Sequence, residues 1–446
     1  MPELVEVLFT TDSNESQASI TAWDYKTGTN LMSYKGAGVM QQRSLSLVGR
    51  HYIVSANSTK PLLHVWPISS HQQITSTRFV LPGRANSISI SPDKLYLLAA
   101  VQETIYIWRI SSGKMLNSIA KHFQPINCIR FDDDSHFATA GQDGSVMLWN
   151  LTTVCARDEE SQTPVYTFTD HGLPVTDVHI GFGGIRAFMM TVSLDRTCKI
   201  YDLLEGALLL TVVFSEALHS VIANALETKV FVGTNEGNIY EFNLDKGVES
   251  KEVHVEREHS NIFKGHKAGT VISCLALSID GRTLISGGHD EQVCIWDTSS
   301  RQLIKKMQHK GPITNLKLRL SNPDIFKPEH KQPRKFAANL SRMLDPPEED
   351  DNEVIEVLIT KENADTDYKW WPTSEYPFDN VDVPQASTSR AAAAQQAEGV
   401  PTAKTTDEEA AKEIERLRAE VAQLKLINKQ LFEVSAKQLL EQKNKR

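Results

Sequence analysis

The chain has 446 residues, 40% of them hydrophobic, with a formal net charge of −9. That length exceeds one ordinary domain yet suits a single large all-β fold, and the apolar content is ample for a core. Ten Asp or Glu against one Lys between Asp345 and Asp367 account for the whole net charge, so the rest is close to neutral, which excludes a broad basic footprint for nucleic acid and leaves room only for a local patch.

Met1 to Val7 has no basic n-region and leads directly into a strand pattern, and no apolar run approaches the length of a membrane span. Neither a signal peptide nor a transmembrane helix is expected. The five cysteines, Cys128, Cys155, Cys198, Cys274 and Cys294, stand singly, four of them in apolar runs. They are expected as buried reduced thiols of a cytosolic or nuclear protein.

Residues 1 to about 320 repeat. Aromatic strand ends recur at Trp23, Trp66, Trp108, Trp149, Tyr201, Phe242 and Trp296, at intervals of 43, 42, 41, 52, 41 and 54 residues. An interval of about 40–45 is the length of one four-stranded WD-repeat blade, so a seven-bladed β-propeller is expected, all-β in class. The two long intervals require insertions, near Arg157–Thr163 and Lys246–Ser260; both are polar and charged, and both are expected as surface loops.

The clearest repeat runs from Gly265-His266 to Trp296-Asp297. On the expected arrangement Trp296, on a third strand, bonds Ser286 on the second; Ser286 bonds His266, which enters before the first strand and is oriented by Asp290 in the turn after the second. Ser286, His266 and Asp290 are also the residue types of a nucleophilic triad. A Ser inside a strand is not on the exposed, strained elbow a nucleophile needs, so the set is read as structural. His122, Thr139, Asp143 and Trp149 repeat it, and His171, Thr191 and Asp195 repeat it with Tyr201 in place of Trp. The blades ending at Trp66, Trp108 and Phe242 lack the Gly-His and the turn Asp, and are expected to hold by apolar packing. No catalytic, cofactor-binding or metal-ligating set is assigned.

The first blade has only one strand pattern, Leu4 to Thr10, ahead of Trp23. Gly311 to Leu320 alternates suitably for the missing innermost strand, which would close the ring without an unpaired edge. Residues 321–405 change in composition, from Pro-rich to acidic to Ala, Gln, Ser and Thr, and read as linker. Trp370 and Trp371 make one piece of it aromatic enough for partner docking.

Residues 406–440 read as a coiled-coil helix. Thr406 to Glu409 is a capping box, and Ala410, Ile414, Leu417, Val421, Leu424, Asn428 and Leu431 follow alternating steps of four and three. With Ile414 at a, Glu413 with Arg418 and Glu420 with Lys425 are g–e′ pairs of opposite charge, and Asn428 at a favours a parallel dimer in fixed register. Beyond it Ile427, Phe432 and Val434 widen the stripe towards a further partner. The alternative is an amphipathic helix docked on its own propeller.

Three segments resemble one family: Leu173–Gly184 (Leu-Pro-Val-Thr-Asp-Val-His-Ile-Gly-Phe-Gly-Gly), Lys310–Asn315 (Lys-Gly-Pro-Ile-Thr-Asn) and Ile427–Ser435 (Ile-Asn-Lys-Gln-Leu-Phe-Glu-Val-Ser). With the propeller, acidic linker and terminal heptad helix, they make the chain similar to the WD repeat-containing protein 18 family, the propeller subunits of the rixosome. The resemblance implies a non-catalytic subunit of a nuclear complex, nucleolar and nucleoplasmic, that matures large-ribosomal-subunit precursors. Its implied partners are a helical-repeat scaffold, a SUMO protease, RNA-processing enzymes and, indirectly, the AAA ATPase midasin and the pre-ribosome. No cofactor, membrane or direct nucleic-acid contact is expected. The rival readings are a substrate adaptor of a ubiquitin ligase or trafficking coat, and a propeller hydrolase.

Overall fold

The computed structural model describes residues 5–14, 19–49, 51–75, 78–133, 135–156, 162–244, 251–255, 261–326 and 340–344. The heptad helix, with Ile414 to Leu431, and Trp370 and Trp371 lie outside the described residues. No described helix is long and apolar enough to cross a membrane.

The β-rich repeats form seven mainly antiparallel sheets arranged as the blades of a propeller, and from blade 2 round to blade 1 each inner strand packs against that of the next blade. Blade 1 is made by both ends of the fold. Strand Ile313–Ser321 is innermost and pairs with Val5–Asp12, in register from Val5 opposite Ser321 to Thr10 opposite Leu316. Ile20–Asp24 and Thr29–Tyr34 complete the sheet. The expected closure therefore holds. The boundary drawn at 320 falls inside the closing strand, and the propeller goes on beyond it. Ile325 and Phe326, in a short 3₁₀ turn (Pro323–Phe326), pack on the core between blades 1 and 2, and Leu340 enters the core shared by blades 2 and 3.

Large apolar side chains from adjacent blades interlock. Trp66, Trp108, Trp149 and Trp296 are all fully buried, each in a cluster that joins two neighbouring blades. Of the five cysteines expected to be buried, Cys128, Cys198 and Cys294 are buried as free thiols, whereas Cys155 and Cys274 are only partly buried; burial pushes the Cys294 thiol up to about 12.

A polar belt ties the inner strands together. In blades 4 to 7 the register slips by one residue near the start of the inner strand, leaving Asn127, Thr176, His219 and Ser273 as the extra residues of four bulges. Three of the four use their side chain to reach the next blade: Asn127 Nδ2 donates to Val175 O (2.8 Å), Thr176 Oγ1 to Leu218 O (2.9 Å) and Ser273 Oγ to Ile313 O (2.6 Å). Asn86 to Ile126 O (3.1 Å), Ser220 to Ile272 O (3.0 Å) and Asn315 Nδ2 to Gln41 O (2.8 Å) carry the belt through the remaining junctions except blade 2 to 3, where Ser87 Oγ donates back to Arg43 O (3.2 Å). Each bond satisfies a backbone carbonyl that burial between blades would otherwise strip of water.

One insertion departs from expectation. Part of the Lys246–Ser260 segment, expected as a loop, forms strand Glu252–His254, which runs parallel to the outer strand Ala207–Val213 and becomes a fifth strand of blade 5. It covers an otherwise open sheet edge, bonded by Thr211 N to Lys251 O and Val255 N to Val213 O, both 2.9 Å. Ahead of the other insertion, helix Leu151–Cys155 is capped by Asn150 Oδ1, which accepts from Thr152 N at 2.9 Å.

Candidate functional site

In blade 7 a directed chain of hydrogen bonds runs through the sheet. Trp296 Nε1 donates to Ser286 Oγ (2.8 Å), Ser286 Oγ lies 2.7 Å from His266 Nε2, and His266 Nδ1 lies 3.0 Å from both oxygens of Asp290. A carboxylate only accepts, so Nδ1 carries the proton and Nε2 takes the Ser hydroxyl. Asp290 also accepts from Lys267 N at 3.1 Å. Its carboxyl is pushed up by burial, but the bond from His266 and the backbone N–H groups outweigh this and hold it below the usual range.

Blade 4 repeats the set. Trp149 Nε1 donates to Thr139 Oγ1 (2.9 Å), His122 Nε2 is 2.8 Å from Thr139 Oγ1, and His122 Nδ1 is 3.2 Å from Asp143 Oδ2. In blade 5 His171 is 2.7 Å from Thr191 Oγ1 and 2.9 Å from Asp195 Oδ2, while Tyr201 OH donates to Asp170 Oδ2 at 3.1 Å. Burial raises Asp195, but its bonds from His171 and Thr197 prevail and hold it at about 2. Ser286, Thr139 and Thr191 are each completely buried. A nucleophile must reach its substrate, and these hydroxyls face only the inside of their blades.

A fourth set is split between the two ends of the propeller. Trp23 Nε1 donates to Thr10 Oγ1 at 3.0 Å, and His309, entering before the closing strand, packs edge-on against Trp23 and lies 4.0 Å from Asp12. It is looser than the others: His309 Nε2 is buried without a hydrogen-bond partner, and burial lowers its pKa to about 4. Three of its residues were in view in the sequence, but the fourth is almost 300 positions away.

The blades without the motif do not rely on packing alone. Trp66 Nε1 donates to Lys35 O (3.0 Å) in the loop from blade 1, and Trp108 Nε1 donates to Ser341 O (2.8 Å), a residue expected in the linker. Ser341 Oγ in turn accepts from Met115 N at 2.7 Å. In blade 6 a buried Glu216 accepts from Asn238 and from Tyr240 OH, both at 3.0 Å.

Along the propeller axis the loop before blade 2 reaches across the ring. Arg43 Nη2 donates to His219 O (2.9 Å) and its Nε lies 3.4 Å from Asp177 Oδ1, while Arg130 Nη2 lies 3.5 Å from the same oxygen. Gln42 reaches Ser273 O at 3.3 Å. The recess left above them is polar and about 270 Å³, lined by Gln41, Asn86, Gln102, Asn127 and Gln142 among others. It is smaller than the pockets that enclose most small-molecule ligands.

Among the described residues, Asp132, Asp133 and His136 bring three possible ligand atoms within 4.8 Å of one another. Asp133 Oδ1 is already occupied by Ser135 N (2.8 Å) and His136 N (2.6 Å), as in an ordinary turn. Asp132 occupies the place held by Ser91 and Ser278 in the corresponding turns of blades 3 and 7, where the hydroxyl bonds the turn Asp. Burial, then the charges of Asp133 and Glu227, push it up to about 7.

Several large apolar side chains stand exposed on loops. Phe123 is 90% exposed and Leu173 51%, each beside a tetrad histidine on neighbouring blades. Leu226 (79%) and Phe182 (56%) stand at the opposite ends of their blades, after the inner strands. Large apolar side chains in water on both faces of a rigid ring suit macromolecular contacts.

A WD domain, G-beta repeat model matches residues 113–150, 162–202 and 257–297, which are the strands ending at Trp149, Tyr201 and Trp296. WD repeat-containing protein 18 of Danio rerio is 35% identical over 78% of this chain and 80% of its own length. The Homo sapiens protein of that name is 35% identical over 71% of this chain and 73% of its own length. The Pre-rRNA-processing protein pro-1 of Caenorhabditis briggsae is 28% identical over 87% of this chain and 73% of its own length. A propeller closed by its own two ends, with the level and extent of that identity, places the chain in the WD repeat-containing protein 18 family.

Proposed function

We propose that the protein is a non-catalytic scaffold subunit of a rixosome-type complex, acting in the nucleus and nucleolus on large-ribosomal-subunit precursors. The observation that carries this reading is the alignment, over most of the chain, with relatives named for WD repeat-containing protein 18 and for pre-rRNA processing. The chemistry agrees with it. Every His-Ser/Thr-Asp set is turned into a blade, and the axis is crossed by Arg43 and Gln42, which supports a role through surfaces over a reaction at these sets.

On this reading a helical-repeat scaffold and the other rixosome subunits dock on the propeller, and the AAA ATPase midasin and the pre-ribosome are engaged through them. The heptad from Ile414 to Leu431 joins two copies in parallel, giving avidity to contacts that are weak one at a time. Ile427, Phe432, Val434, Trp370 and Trp371 are assigned to further partner contacts. The test is depletion of the protein followed by pulse-labelling of ribosomal RNA. Precursors of the large-subunit RNAs should accumulate while small-subunit maturation continues; unchanged processing of both would refute the role.

A further inference from the structure

The propeller's near-neutral charge conceals a strong asymmetry. From Tyr25 to Pro92 there are seven Lys and Arg and no acidic residue, and extending to Lys121 gives eleven against two, Asp93 and Glu103. These residues build the end of blade 1 and the whole of blades 2 and 3. Lys35, Lys60, Arg84, Lys94 and Arg109 are exposed. None of these five forms an ion pair within 4.0 Å with a carboxylate of the described residues. Asp93, the nearest acid in sequence to Lys94, is engaged by Ser91 Oγ and Leu95 N.

The chain returns to this surface after the ring has closed. Leu340 is buried in the core of blades 2 and 3, Ser341 N donates to Gly113 O at 2.8 Å, and Ser341 O and Oγ accept from Trp108 Nε1 and Met115 N. The turn that grips Ser341 runs from Arg109 to Lys114, closed by Gly113 N to Arg109 O at 2.9 Å, so it carries basic residues at both ends. The acidic run begins at Asp345, directly after Leu344, with ten acids and one Lys over its length to Asp367.

We infer that Asp345–Asp367 docks on the basic end of blades 2 and 3 that carries Lys94, Arg109 and Lys114, the end at which Ser341 is held. Single exposed ion pairs are weak, but here the segment follows directly on Leu344, three residues after the Ser341 held by blade 3, so association is intramolecular and its effective concentration is high. Twenty-three residues from Asp345 to Asp367 reach at most roughly 80 Å, which is ample to follow two neighbouring blades. The complementarity is between blocks of charge. The most acidic segment of the chain follows directly on an anchor beside a stretch of propeller with eleven Lys and Arg against two acids, and docking would cover that basic end against another polyanion.

Zero-length carbodiimide coupling of the full chain, read by mass spectrometry, tests this. It joins carboxylates to amines only where they touch. Couplings from Asp345–Asp367 should concentrate on Lys94 and Lys114 over Lys35, Lys60, Lys199, Lys229, Lys264 and Lys306, and should fall roughly tenfold in 1 M salt, where the Debye length is about 3 Å. Couplings spread evenly over the propeller lysines, or indifferent to salt, would overturn the inference. A labelled polyuridylate RNA supplies the second arm. Its affinity should rise about tenfold when Glu348→Gln, Glu349→Gln, Asp350→Asn and Asp351→Asn are combined, and the gain should vanish when Lys94→Glu and Lys114→Glu are added. RNA binding to the unaltered chain as tightly as to the neutralised one, lost with Lys94→Glu and Lys114→Glu, would assign the surface to nucleic acid instead.

Discussion

Replacing Ser286 by Ala removes one oxygen atom from the interior of blade 7. The hydroxyl accepts from Trp296 Nε1 at 2.8 Å and meets His266 Nε2 at 2.7 Å, and Ser286 has no exposed surface. Water cannot replace it, so an indole N–H and an imidazole nitrogen are both left buried without that partner. Each such loss costs about 1–3 kcal/mol, and the two share one environment, so Ser286→Ala should destabilise the propeller by roughly 2–4 kcal/mol. Ser286→Thr should cost far less, because Thr139 and Thr191 fill the same place in blades 4 and 5 and bond their histidines at 2.8 and 2.7 Å. Urea unfolding followed by tryptophan fluorescence measures both. Ala as stable as wild type, or Thr as damaging as Ala, would refute the bonding argument. Labelling of folded Ser286 by a fluorophosphonate would refute its structural role altogether.

A chain ending at residue 310 should aggregate or lose cooperative unfolding, since it lacks strand Ile313–Ser321 and exposes the edge of Val5–Asp12, whereas a chain ending after Leu344 should melt like the full protein; calorimetry distinguishes them. Acid should destabilise the fold early: burial holds His179, His219 and His309 at about 4, while the unfolded residues titrate near 6.5. Because the unfolded chain then binds more protons, stability should be full above pH 6.5 and fall as the pH drops from there towards 4, a trend that melting temperatures across that window will show or deny. Asp132→Asn should raise the melting temperature, and more at pH 8 than at pH 5.5, because burial and the neighbouring carboxylates of Asp133 and Glu227 oppose its ionisation; an equal or negative shift at pH 8 would contradict that. Leu417→Asp with Leu424→Asp should leave the propeller's melting unchanged and convert a dimer to a monomer in light scattering, and a wild-type chain that is monomeric with and without its scaffold removes the homodimer.

The parts of this fold that could be read from the sequence are those whose signal is local. His266, Ser286, Asp290 and Trp296 lie within 31 residues, and the alternation of Gly311 to Leu320 marks a strand wherever it is placed. What escaped was set by distance or by single residues. The tetrad of Thr10, Asp12, Trp23 and His309 is divided by ring closure. Asn127, Thr176 and Ser273 look like ordinary polar residues until the bulges aim them at the next blade. Glu252–His254 is too short to announce itself as a strand, and it forms because the outer edge of blade 5 lacks a partner. Ser341 offered no pattern; its place is decided by an indole N–H on blade 3 that no histidine-bearing motif satisfies. The candidate interaction surfaces were harder still, since exposure of Phe123, Leu173, Phe182 and Leu226 is a property of the assembled ring.

This propeller is proposed to serve as a scaffold within a ribosome-maturation complex. Affinity purification of the tagged protein from nuclear extract, with its companions identified by mass spectrometry at near-stoichiometric yield, tests it most directly. A helical-repeat scaffold, a SUMO protease and large-subunit precursors should co-purify, retained by Ser286→Thr and weakened by Leu417→Asp with Leu424→Asp. Recovery of ubiquitin-ligase or vesicle-coat subunits in their place, with no pre-ribosomal component, would contradict it.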